Sequence, residues 1–156
     1  MISLPLRLLP KARPRATIRG HYAHVYTAPD YAAFISTASA LLRTLHMPVL
    51  DTPCALTLHI ALATHYTTIA ATAKRKEYQR AIPNTGDVDN LAGAFMDAGN
   101  GILYRDDAHV ALLGAYKARS PEDSVAFDAI PLTRDNIPAI RAAWTAILDA
   151  AIADMP

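Results

Sequence analysis

The chain has 156 residues, 52% hydrophobic and 19% charged, with a formal net charge of +1. That is one domain's length, with enough apolar material for a core, and the single cysteine, Cys54, excludes an intrachain disulfide framework and a cysteine-based zinc site. The near-neutral total hides an asymmetry: residues 1–80 carry ten bases against three acids and residues 81–156 five bases against eleven acids, which suggests a polyanion surface beside an acidic site.

Ile2 to Leu9 predicts a short edge strand, because Pro5 is unsuited to a central one. Lys11 to Arg19 is basic, with prolines at 10 and 14, and predicts an extended arm over about residues 10–20. Thr27-Ala-Pro-Asp30 predicts a helix start, with Thr27 as N-cap, Pro29 in the first turn and Asp30 at the capping-box position. Phe34, Ile35, Ala38, Leu41, Leu42 and Leu45 follow at helical spacing, and Pro48 ends the pattern. Leu56, Leu58, Ile60 and Leu62 alternate with Thr57, His59, Ala61 and Ala63, which predicts a strand with one apolar face.

Thr64 to Asn84 is polar and reads as a loop or a short helix. Leu91, Ala94, Phe95 and Ala98 predict a second helix, stopped by Asn100-Gly101. Ile102 to Tyr104 and Val110 to Tyr116 predict two further strands. Thr133 or Asp135 opens a last helix, with Ile140, Ala143, Trp144, Ile147, Leu148 and Ile152 as its apolar stripe, facing either the core or a second copy. Strands and helices mix without regular βαβ alternation, so the expected class is α+β. The expected architecture is a single domain over residues 1–156, a small mixed sheet packed against helices. No apolar run reaches the roughly 20 residues of a membrane span. Pro5, Arg7 and Pro10 interrupt any signal-like core, so the expected location is cytoplasmic, with no membrane partner.

The chemistry concentrates between Asn84 and Lys117. Asp87 and Asp89 flank Val88 at the entry to the second helix, where the helix dipole favours carboxylates with or without a cation. Asp106 and Asp107 form a second pair. Taken singly, each pair reads as turn and cap residues. Brought together, three or four carboxylates must protonate or bind a cation, and all-oxygen ligands suit Mg²⁺ or Mn²⁺. Lys11, Arg13, Arg15 and Arg19, and again Lys74, Arg75, Lys76 and Arg80, suit contacts to DNA phosphates, which position rather than read a sequence. A solvated surface run is the other reading of these bases. Tyr22 and Tyr26, with His21 and His24, either stack on unpaired bases or pack beneath the first helix.

The run Asn84-Thr-Gly-Asp-Val-Asp-Asn-Leu91, then Phe95-Met-Asp-Ala98, Asn100-Gly-Ile102, Asp106-Asp-Ala-His-Val110 and Lys117, resembles the RusA-type Holliday junction resolvases. Their pattern is Asp-x-Asp-Asn-Leu, a helix bearing Asp-Ala, then Asp-Asp-x-x-Val and a later lysine. Pro10-Lys-Ala-Arg-Pro-Arg15, with Gly20 and Tyr26, is similar to that family's arm, so the resemblance spans roughly Pro10 to Lys117. It implies an intertwined homodimer, bacterial or phage-encoded. It implies a Mg²⁺-dependent endonuclease, with Mn²⁺ as a substitute, that cuts four-way DNA junctions by paired symmetric nicks in recombination and repair. On that resemblance Asp87, Asp89 and Asp107 match the catalytic, metal-binding acids, Asp106 beside them is a further metal ligand, and Lys117, matching the later lysine, is a fourth catalytic residue.

One departure opens a second reading. The family usually carries a catalytic lysine four residues after the second acid of Asp-x-Asp, and here that position is Gly93. The alternative is a junction- or DNA-binding protein with weak or lost nuclease activity. Gly99 also stands where the family has leucine, so one helix holds two glycines, at about 1 kcal/mol each relative to alanine.

Overall fold

The computed structural model describes residues 1–11, 15–19, 22–63 and 86–153, with the backbone alone over 15–19 and 22–26. The expected contacts of Arg13, Lys74, Arg75, Lys76 and Arg80, and the polar stretch up to Asn84, lie outside the described residues.

The strand foreseen from alternating leucines is the centre of the molecule. It is β4, Cys54–Ala63, since β1 (Ile2–Leu4), β2 (Arg15–Arg19) and β3 (Tyr22–Tyr26) precede it. It runs parallel to β5 (Val110–Ser120) and antiparallel to β6 (Ser124–Pro131), in a mixed sheet of order β1-β6-β4-β5. The β4-to-β5 connection carries a helix and is the one parallel crossover among the described strands; the other strand pairs are antiparallel, so the α+β class holds.

Leu56, Leu58, Ile60 and Leu62 share one face of β4 and are at most 1% exposed. They meet Phe34, Ala38 and Leu42 of α1 (Pro29–Arg43) and Leu91, Phe95 and Ala98 of α2 (Val88–Gly99) in one hydrophobic core. The Phe95 and Phe127 rings lie 5.1 Å apart across that core.

Three expectations need correction. The opposite face of β4 is covered as well: Thr57 is 1% exposed, because small residues there let α3 (Ile137–Ala153) sit on the sheet. Gly114, paired with Thr57, is the clearest case, since a Cβ on it would lie 3.6 Å from the Trp144 indole. Thr27 does not cap α1; Ala28 holds that position without a side-chain bond, and proline at the first turn sets the entry. Ile102 to Tyr104 is a turn rather than a strand, bridged to Leu50 by Leu50 N–H to the Leu103 carbonyl and Arg105 N–H to the Leu50 carbonyl, each at 2.9 Å. The expected extended arm is a strand over β2, which pairs antiparallel with β3, Arg15 and Arg19 lying opposite Tyr26 and Tyr22.

Strand β6 was not foreseen, although Val125 and Phe127 alternate into the core. In α3 only Ile140, Ala143 and Ile147 of the expected stripe are buried; Leu148 and Ile152 are 60% and 64% exposed. Among the described residues, no helix is long and apolar enough to cross a membrane.

Candidate functional site

The entry to α2 is built around glycine. Gly86 has φ +108°, a backbone state that side chains resist, and a Cβ there would run into the ring of Pro10. Asp87 follows as the N-cap of α2 in extended conformation, yet its carboxylate makes no capping bond. Asp89 sits in the first turn, and both acids are exposed. The ordinary use of an N-cap aspartate is thus not taken up, and two carboxylates stand at the positive end of the helix.

Lys117 is brought to the same place from β5. It pairs in register with Ile60 on the core side of the sheet, and its Nζ donates to the Gly86 carbonyl at 2.6 Å. That bond ties the middle of β5 to the residue immediately before Asp87.

The second acidic pair does a different job. Asp106 caps a short 3-10 turn over Asp107–His109, where its Oδ1 accepts from the Ala108 N–H at 2.9 Å. Asp107 is half-buried within that turn, which packs on α2. Nearby, the Tyr104 hydroxyl donates to the Met96 carbonyl at 3.1 Å. Burial, reinforced by Cys54 and by the charges of Asp107 and Asp97, pushes the Tyr104 phenol well above its ordinary range. Among the described residues, no three His, Cys, Asp or Glu side chains come close enough to hold a metal ion. The expected gathering of Asp87, Asp89, Asp106 and Asp107 into one cage is therefore not met there, with Asp106 engaged as a turn cap. The donor chemistry still fits Mg²⁺, an ion commonly held by one or two carboxylates together with water and substrate phosphate.

Lys11, a candidate for DNA contacts, lies against α2. Its N–H donates to the Asn90 carbonyl at 2.9 Å, and its Nζ pairs with Asp97 Oδ1 at 2.9 Å. The stem lies over Gly93, where a Cβ would come within 3.3 Å of Lys11 Cδ. The other Asp97 oxygen accepts from the Tyr31 hydroxyl of α1 at 2.7 Å. Burial, then the bond to Asp97, pushes the Tyr31 phenol up. Asp97 and Tyr31 were not among the expected site residues. The available signal was spacing: 89, 93 and 97 recur every four residues and so share one helix face.

The family described as Endodeoxyribonuclease RusA matches residues 5–126, a span that includes the four acids, Lys11, Gly93 and Lys117 and ends before α3. No curated protein matches the chain. With most of its length matched and the motif residues set around the start of α2, the chain belongs to the RusA endodeoxyribonuclease family.

Proposed function

We propose that the protein is a Mg²⁺-dependent endonuclease, with Mn²⁺ able to substitute, that resolves four-way DNA junctions by paired symmetric nicks in recombination and repair. The observation that carries this reading is Asp87, an N-cap acid whose carboxylate does not cap, next to Asp89 and beside Lys117. Asp87 and Asp89 would hold the ion, with Asp107 as the third catalytic acid and Asp106 fixing the turn that carries it. A bound Mg²⁺ supplies charge neutralisation at the phosphodiester and lowers the pKa of water. Lys117 holds the Gly86 carbonyl and so fixes the turn that presents Asp87. The arm bases Arg13, Arg15 and Arg19, with Lys74, Arg75, Lys76 and Arg80, hold the DNA backbone.

A four-way junction is two-fold symmetric, and two symmetric nicks call for two sites, hence a homodimer. Exposed Leu112, Trp144, Leu148 and Ile152 support such a contact. Residues 1–156 act as one domain, with α3, which lies beyond the family match, covering one face of the sheet. The second reading, junction binding with little cleavage, is favoured by Gly93, which brings no cation of its own to the helix face after Asp89.

The test compares a synthetic mobile four-way junction with a linear duplex of the same sequence, each with Mg²⁺ or with EDTA. Symmetric nicks on the junction alone, and only with metal, are expected. Tight junction binding without nicks overturns the nuclease reading in favour of the second. Equal nicking of the duplex overturns the junction selectivity.

A further inference from the structure

We infer that Asp97 is a positioning residue: with Tyr31 it forms a socket for Lys11 that seats the basic arm across the acid-bearing helix. Asp89, Gly93 and Asp97 stand four apart on α2 and form a track along one face. Lys11 lies along that track. Its backbone is held at Asn90, its stem passes over Gly93, and its ammonium ends on Asp97. Glycine opens the path twice, because side chains at 86 and 93 would press on Pro10 and Lys11 respectively.

Both carboxylate oxygens of Asp97 are engaged, one by the Lys11 cation and one by a phenol anchored in the buried face of α1. Asp97 is 24% exposed and Lys11 48% exposed at the side chain, so this pair is braced on one side and open on the other. Lys11 spends its charge on Asp97 rather than on a phosphate. Its role is to fix where the chain crosses α2, immediately before the basic arm that binds DNA. That last consequence rests on the DNA-cleaving function proposed above.

Simple electrostatics and a positioning role give opposite signs for one substitution. Asp97→Asn removes a negative charge from a DNA-binding protein, so electrostatics alone would tighten binding. A positioning role weakens it, because the arm loses its seat.

The experiment uses the full chain and two readouts. The first is amide hydrogen exchange of the peptide containing Lys11, whose N–H is bonded to Asn90. The second is affinity for a synthetic four-way junction, measured without Mg²⁺. For Asp97→Asn the expected results are exchange at Lys11 faster by about tenfold and junction affinity weaker by about fivefold. Tyr31→Phe should move both readouts the same way by less. The charge-swapped double variant, Lys11→Asp with Asp97→Lys, should recover most of the protection. Unchanged exchange at Lys11, or tighter junction binding by Asp97→Asn, would overturn the inference. If the parent protein binds no junction, the function proposed above fails, and the exchange result alone decides whether Asp97 seats the arm.

Discussion

Two glycines border the path of the arm, and a methyl group should affect them in opposite directions. At Gly86 the positive φ and the Pro10 ring both oppose a side chain, so Gly86→Ala should destabilise the fold by about 1–3 kcal/mol. At Gly93 the backbone is helical and the nearest atom belongs to the flexible Lys11 stem at 3.3 Å, so that neighbour gives way. Gly93→Ala should be neutral or stabilising by up to about 1 kcal/mol, the helix-propensity difference. Urea midpoints of the two variants against the parent check both signs. Gly93→Lys is a different matter, since it places a lysine four residues before Asp97, where it competes with Lys11 for the same carboxylate. That substitution should speed amide exchange at Lys11, a cost hidden from the sequence because Lys11 is 82 positions away along the chain.

At the scale of elements, α2 is pinned by two phenols. Tyr31 joins α1 to Asp97, and Tyr104 joins the loop before β5 to the Met96 carbonyl. Both are held above the ordinary value of 10.0, mainly by burial. The folded state therefore keeps these protons more tightly than the unfolded chain. Their contribution is fully present below about pH 10 and is lost as pH rises above it. The urea midpoint should be flat between about pH 7 and 9 and fall above pH 10, and Tyr31→Phe should reduce the fall. A midpoint that rises above pH 10 would contradict this sign. Elements with strong periodicity were readable from sequence, as with Leu56 to Leu62 and with Leu91, Phe95 and Ala98. Strand β6 was not, because its alternation rests on Val125 and Phe127 between ordinary surface residues. The second buried face of β4 was hidden by small residues, Thr57 among them, whose burial depends on α3 arriving from far along the chain.

On the scale of the whole molecule, the charge asymmetry acquires a layout. The acids that open α2 stand at an exposed helix end, the arm starts across that helix, and Lys117 reaches it from the sheet. Motif order alone pointed to Asp87, Asp89 and Lys117, and the fold brings their segments together. The same order gave no sign that Asp106 caps a turn or that Lys11 is spent on Asp97, since both depend on contacts rather than on spacing. The most direct measurement is single-turnover cleavage of a saturating four-way junction with Mg²⁺ by the parent and by Asp89→Asn, alongside their junction affinities. The expected result is metal-dependent cleavage by the parent and a loss of at least about a hundredfold in the variant, the upper end of the effect of removing an outer-shell partner of a metal, with junction binding retained. Cleavage by Asp89→Asn at the parent rate, or parental cleavage that persists in EDTA, would contradict it.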